Sequence, residues 1–475
     1  MLFARDFGHV HAVGGVWDRL GFGEALDQAG ISGSAKFRAS GLVRMLVVNR
    51  VCDPCSKLAL LDWLDSVYYD GKEKPSYQHL LRAMDHLIET KDRAEPLIAK
   101  RLLKDAGPVE LVFYDITSTY FEGDRSLVTD DFRRYGYSRD TRFDKRQVVI
   151  GVVMTRGGIP LCHHVFAGNT VDKATVSEVV GDLKKRFGFS NIVFVGDRGM
   201  LSNTNLETLL GENLGFIVAH PLRRNDEAAE VIGSLESRFD RQSESEQFFE
   251  ERREGGRFIV AYSPQIGHEA RKGREERLKK ADAWIKDVLH KLEHPGTRGR
   301  KPTPQGTYDR IRDHLRDRNL LGFYEVSCAN GKVTVKKDRM ALSWEDKIDG
   351  TLMLETTGQT LDAKEVVVRY KELAEIERGW RSLKSTLLLR PVYHWTERRI
   401  RAHIFICVLA LQIERWMRAK LKTISVPKAV QSLQRIKVGE LDLDGKRSLV
   451  VTRPTEEQKE WLVSLGVPPI PSAPS

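Results

Sequence analysis

The sequence predicts an α/β core split by a β-rich insertion and preceded by an α-helical domain. Three observations predict it. Apolar residues over the first hundred positions recur at helical spacing. Two near-continuous apolar runs, Val109–Asp115 and Asn191–Asp197, each close on an acid and alternate with helical segments, as buried parallel strands do. The alternation then stops between about Pro221 and Asp349, where short strand-like pieces take over. At 475 residues the chain is too long for one hydrophobic core, so several domains are expected.

In order, Ser40 precedes the run Leu42, Met45, Leu46, Val47, and Ser76 precedes Leu80, Leu81, Met84, Leu87. Pro96 reads as a first-turn proline and Gly107 as the stop of a helix carrying Leu97, Ile98, Leu102 and Leu103. Residues 1–106 are therefore assigned to a helical domain. Gln147–Thr155 and Ile159–Ala167 form a hairpin around Arg156-Gly157-Gly158. Asp172 opens a helix through Val176, Val179, Val180, Leu183 and Phe187 that Gly188 ends. A helix at Asn203–Leu210 and a strand at Gly215–Ala219 complete the first part of the core, 107–220.

The insertion, 221–357, holds a hairpin (Phe248–Glu254 with Arg257–Tyr262) and strands at Phe323–Cys328, Lys332–Lys337 and Thr351–Glu355. It carries a charged helical arm at about 268–320, broken at Pro295. The core resumes over 358–424. Tyr370–Lys384 reads as one continuous helix, and Thr396 caps a long helix to about Leu421. Residues 425–475 form an appendage with a flexible Pro/Ser-rich tail.

Lysine and arginine exceed the acids to give a formal charge of +10, which points to a polyanionic partner, nucleic acid first. The densest apolar run, Ile404–Ile413, is far shorter than the roughly 20 residues a membrane span needs, and the first residues show no signal peptide. Five scattered cysteines suit a reducing cytosol, and Cys52 with Cys55 lacks the partners of a zinc site.

At about 100° per residue, Tyr370, Leu373, Glu377, Arg381 and Lys384 share one helical stripe, an acid flanked by cations. Alone this is an ordinary solvated face, with Glu377 and Arg381 as an i,i+4 pair. Asp115 and Asp197 shift the balance. Acids at strand ends must be paired or bind a metal, and three carboxylates are hard ligands suited to Mg²⁺ or Mn²⁺. In phosphodiester chemistry such a trio holds two ions about 3.5–4 Å apart. There is no Walker-type loop, G-x-S-x-G or H-E-x-x-H to support a rival mechanism.

Tyr114-Asp115-Ile116-Thr117, Val195-Gly196-Asp197-Arg198-Gly199-Met200 and Tyr370-x2-Leu373-x3-Glu377-x6-Lys384 resemble the three signature blocks of bacterial insertion-sequence transposases of the DDE type, in the branch with the Tyr-Arg-Glu-Lys signature. Further matches are Gly168-Asn169-Thr170 with Asp172, Arg390-Pro391-Val392-Tyr393-His394, and Arg399-Ile400-Arg401-Ala402-His403. Upstream, Asn49-Arg50 and Pro54 with Ser56-Lys57-Leu58-Ala59 also match. The resemblance implies an RNase H-like core and a bacterial, cytoplasmic, nucleoid-associated enzyme that cuts DNA at element ends and joins the freed 3′-hydroxyl to target DNA. Asp115, Asp197 and Glu377 would ligand two Mg²⁺ ions, Tyr370 and Lys384 would hold phosphates, and paired ends would require a homodimer. The family's arginine is Leu373 here, and Arg378 or Arg381 would have to substitute. Two alternatives stand beside this reading: a domesticated, non-catalytic DNA-binding relative, and a metal-dependent nuclease that cuts without joining.

Among the remaining motifs, Arg298-Gly299-Arg300-Lys301-Pro302 reads as a solvated loop before a minor-groove hook. The basic stretches Arg271–Arg277, Lys279-Lys280 and Arg398–Arg401 are expected to meet phosphates rather than bases. Trp380 and Trp395 flank the acid helix and are read as core, and His163-His164 as structural.

Overall fold

Helical spacing in the N-terminal residues becomes five helices in the computed structural model: Gly8–Arg19, Phe22–Gln28, Ala39–Cys52, Ala59–Ser66 and Tyr77–Leu102. The structure describes residues 3–472 except 33–37, 70–73, 105–108, 123–130, 190–191, 198–201, 254–255, 297–300, 359–360 and 444–445. The chain divides into two units, one of residues 1–216 with 369–475 and one of residues 217–368. The fold is mixed α/β.

The N-terminal segment is not wholly helical. Phe3–Asp6 is a strand pairing antiparallel with Lys437–Leu443, which pairs in turn with Lys446–Val451. Four residues cannot advertise a strand whose partner lies at the other end of the chain. The helix expected to begin at Pro96 is instead the last part of Tyr77–Leu102, which runs through the proline. Ser76 caps it as expected, its hydroxyl accepting from the His79 amide.

In the first unit four strands lie in the order Pro160–Ala167, Gln147–Met154, Leu111–Tyr120, Val193–Gly196. The last pair is parallel, with Tyr114 opposite Gly196, and the other pairings are antiparallel. Gln147–Met154 is buried along its whole length, so both faces of the sheet are covered there. Gly151 lies where a Cβ would come 2.5 Å from the Tyr114 hydroxyl, so the buried tyrosine depends on that glycine. The helix expected from Asp172 starts as a 3-10 turn, Asp172–Thr175, before Val176–Phe187, and Gly188 ends it in left-handed backbone at φ 65°.

Glu397–Lys420 is buried almost all round, from Ala402 through Arg415 without a break, as a helix at the centre of a core must be. It packs on Ala39–Cys52, Tyr77–Leu102 and Pro160–Ala167. Val426–Leu433 and Glu456–Ser464 bury Leu433, Trp461 and Leu462, so the C-terminal segment is packed rather than appended.

In the second unit Gly215–Ala219 (from Ile217 on), Thr351–Thr356, Gly256–Tyr262 and Gln247–Arg253 pair antiparallel in that order, and Tyr324–Ala329 with Lys332–Lys337 forms a separate hairpin. More of this unit is helix than strand. Pro264–Glu293 and Pro304–Asp317 make the arm, while Asp226–Leu235 and Arg339–Ile348 went unread. The β-rich description of the insertion is corrected accordingly: both missed helices are short, capped by Asn225 and Asp338, and look like charged loops in sequence.

Candidate active site

Asp115 and Asp197 come together because their strands are parallel neighbours in register. Tyr114 stands opposite Gly196, and each acid is the next residue. One expectation is corrected. Asp115 does not end its strand, which continues to Tyr120 against Gln147–Met154; the shorter strand Val193–Gly196 stops beside it. Thr117, Ser118 and Thr119 continue the strand as buried residues, so no Asx or capping turn starts at Asp115.

Burial raises the Asp115 pKa from 3.8 to about 6. The Ile116 amide (2.8 Å) and the Trp380 indole N–H (3.0 Å) oppose that rise by donating to its carboxylate, the Asp197 charge adds to it, and Arg139 counters it. Asp197 is exposed.

A carboxyl raised in the native state binds more protons folded than unfolded between about pH 4 and 6. Stability of the metal-free protein is therefore expected to fall as pH rises through that window. Melting temperatures in EDTA across this range check the point; Asp115→Asn should flatten the slope, and an unchanged slope would discount the shift.

The predicted continuous helix over 370–384 is broken. Ala363–Lys371 ends just after Tyr370, Ala374–Arg381 carries Glu377, and Ser382–Thr386 widens to a π turn carrying Lys384. The π turn is closed by the Leu387 amide on the Ser382 carbonyl at 2.8 Å. Such turns recur at functional sites. Ile376, Gly379, Trp380 and Leu383 face inward, and Glu377 is exposed one turn before Trp380. Gly379 allows this approach: a Cβ there would stand 3.1 Å from the Met154 methyl and 3.3 Å from Arg415. Trp380 thus ties the glutamate helix to Asp115 directly.

The phosphate candidates fare differently. Tyr370 is half-buried. Arg378 pairs with Glu375, whereas Arg381 is exposed and pairs with no carboxylate among the described residues, Glu377 included. Lys384 donates to Asp140 at 2.8 Å, and Arg390 meets the other oxygen at 2.5 Å. Burial lowers the Lys384 pKa, Asp140 opposes that, and Arg390 and Arg139 add to it. Asp140 and Arg139 were missed from sequence. Arg139 also binds both Asp172 oxygens at 2.6 Å, so the segment after Asp131 brings a charged pair to the site. Adjacent opposite charges in a stretch without periodicity were the only signal.

Trp380 is buried and Trp395 partly exposed beneath Arg133. His163 is fully buried against Glu95 at 2.7 Å. Cys162, His164 and Asp182 bring ligand atoms within 4.8 Å of one another. Arg186 grips both Asp182 oxygens, however, and although burial works against a charged His164, Asp182, Cys162 and Glu178 raise its pKa to about 11. That group is an ion-pair cluster. Arg398, Arg399 and Arg401 pair with Glu89, Asp85 and Glu397, and Arg274 is buried against Asp349. Most of the basic hook at 298–302 lies outside the described residues.

A mixed α/β protein with one acid on a strand, a second at the end of its parallel neighbour, and a third acid on a helix bonded to the first, is thus defined. The chain belongs to the Transposase DDE domain family, which matches residues 108–413. The family expected from the three sequence blocks is borne out. No curated protein matches the sequence. Among solved structures, the piggyBac transposase synaptic complex with hairpin DNA, determined by cryo-EM, is similar at 11% identity and a TM-score of 0.40, over 84% of this chain and 70% of that one. No helix among the described residues is long and apolar enough to cross a membrane.

Proposed function

We propose that the chain is a DNA transposase with an RNase H-like core, cutting strands at the ends of its element and joining the freed 3′-hydroxyl to target DNA. The observation that carries this reading is the convergence on Asp115: Asp197 just past the end of the parallel strand beside it and Trp380 of the Glu377 helix hydrogen-bonded to it.

The residues fit a divalent cation. Asp115 is a half-buried carboxylate held against ionisation, which a bound cation would relieve, and Asp197 and Glu377 add two exposed hard oxygen donors. When bound, Mg²⁺ ions (or Mn²⁺) activate the attacking oxygen and stabilise the leaving one. Asp115, Asp197 and Glu377 would hold them, with Asp115 fixed by its amide and indole donors. Arg381 is the open guanidinium for the terminal strand in place of the arginine that Leu373 replaces. Lys384, held by Asp140, would exchange that partner for a phosphate of the terminal strand. Tyr370 completes the phosphate contacts. The partner is DNA, both element ends and target, and pairing two ends calls for a homodimer.

The test is incubation of end-bearing duplex with the purified chain, with Mg²⁺, with Mn²⁺ and in EDTA. Metal-dependent nicks followed by joined product are expected. Cutting without joining would identify a nuclease, and end binding without cutting a non-catalytic relative.

A further inference from the structure

Two sequence motifs outside the three acid blocks meet at one cavity. Arg50 with Ser56-Lys57 comes from the N-terminal helical segment, and Arg390-Pro391 with Tyr393-His394 follows the π turn. Together they line a cavity of about 450 Å³ in the first unit. Its lining contains Arg50, Lys57, Arg390, His394 and His403 and no carboxylate.

The two deepest cations are buried without counter-charge. Arg50 is 4% exposed and Lys57 5% exposed, and neither pairs with a carboxylate among the described residues. Arg50 donates its terminal nitrogens to the carbonyls of Cys55 (3.0 Å), Leu388 (3.3 Å) and Leu387 (3.5 Å), leaving its buried Nε without a partner. Leu388 is held there at φ 43°, a left-handed backbone that costs a leucine energy. His403 donates from Nε2 to the Leu389 carbonyl at 3.0 Å, so its Nδ1 accepts from the Lys57 ammonium at 2.8 Å. That leaves two of the three ammonium protons to be satisfied.

An unpaired buried cation is among the costliest groups a fold can keep. Burial and the neighbouring Arg50 accordingly push the Lys57 pKa well below its ordinary value, and burial, Lys57 and Arg50 keep His403 neutral. An anion in the cavity would answer both cations at once. The remaining lining says which kind. Tyr77, Tyr393, Leu58 and Leu388 are exposed, giving the cationic floor an aromatic and apolar rim. A simple inorganic anion has no use for such a rim, whereas a nucleotide has a phosphate for the floor and a π-face for a tyrosine.

We propose that this cavity is a nucleotide-phosphate site, with Lys57 and Arg50 receiving the phosphate and Tyr393 or Tyr77 stacking on the attached base. The phosphate comes either from a DNA strand or from a free nucleotide, and only the first source rests on the transposase reading.

The full chain is titrated in EDTA with inorganic phosphate, thymidine 5′-monophosphate and thymidine, by calorimetry and by melting-temperature shift. Wild type should bind the monophosphate more tightly than phosphate, and thymidine undetectably. Lys57→Met should weaken both phosphate probes at least tenfold while melting at or above wild type, since it removes a buried charge. Tyr393→Ala, at an exposed position, should lose the advantage of the monophosphate and keep phosphate binding. Unchanged affinities in both variants, or a wild type indifferent to phosphate, would overturn the proposal. Displacement of the monophosphate by excess end-bearing duplex assigns the site to DNA; persistence assigns it to a free nucleotide. No metal and no cleavage enter this measurement, so its failure is separable from failure of the transposase reading.

Discussion

Asp115→Ala, Asp197→Ala and Glu377→Ala are each expected to lower end cleavage by about 10³-fold or more while end binding stays within a few-fold of wild type. The size follows from the chemistry: losing several kcal/mol of transition-state charge stabilisation, at about 1.4 kcal/mol per decade, costs three or more decades. Binding survives because it depends on cations and shape spread over the surface. Asp115 needs a second variant. Its oxygens accept from the Ile116 amide and the Trp380 indole, so alanine could also unseat the glutamate helix. Asp115→Asn removes the charge while keeping one acceptor oxygen for the indole, at the cost of turning its NH₂ toward the Ile116 amide. Equal loss in Asn and Ala places the effect on the charge. Full cleavage by any single-acid variant, measured on radiolabelled end duplex, would remove that residue from the mechanism.

Asp115 and Asp197 were legible because the apolar runs before them are strands that must be buried, and an acid after such a run stands out. The register that sets them side by side was not legible, since nothing in either run specifies its neighbour. Glu377 was readable as part of a helix, but the break at Glu372 and Leu373 was not: Tyr370–Lys384 has good helix formers throughout and neither glycine nor proline before Gly379. Tertiary contacts decide it, with Trp380 drawn to Asp115 and Lys384 to Asp140. The same holds for Asp140 and Arg139, whose segment has no period, and for Phe3–Asp6, whose partner strand lies more than 400 residues away. The cationic cavity joins motifs that sequence reading could quote but not bring together. Long-range pairing is what a single sequence withholds.

Glu95→Ala is expected to cost about 3–5 kcal/mol of stability, the usual penalty for removing one partner of a buried charge network. Glu95 is 2% exposed and serves four groups. It accepts from the His163 ring (2.7 Å) and main-chain amide (3.1 Å), and pairs with Lys91 (2.8 Å) and Arg186 (2.9 Å). Burial alone would raise its pKa, but Lys91, His163 and Arg186 overcome that and hold it well below the usual range. A carboxylate depressed in the native state contributes stability that is present above its unfolded pKa and lost as pH falls below it. The sequence disguised this residue, because Glu95-Pro96 looks like the start of a helix and is in fact the interior of one. The proline has no amide to donate to the Asp92 carbonyl, so this turn lacks a helical hydrogen bond, and the ion network bonds it to the Pro160–Ala167 strand instead. Urea unfolding at pH 7 checks the magnitude, with Lys91→Met as a milder comparison that leaves Arg186 in place. A Glu95→Ala loss below about 1 kcal/mol would mean that water, rather than this carboxylate, satisfies the His163 amide and the Arg186 guanidinium.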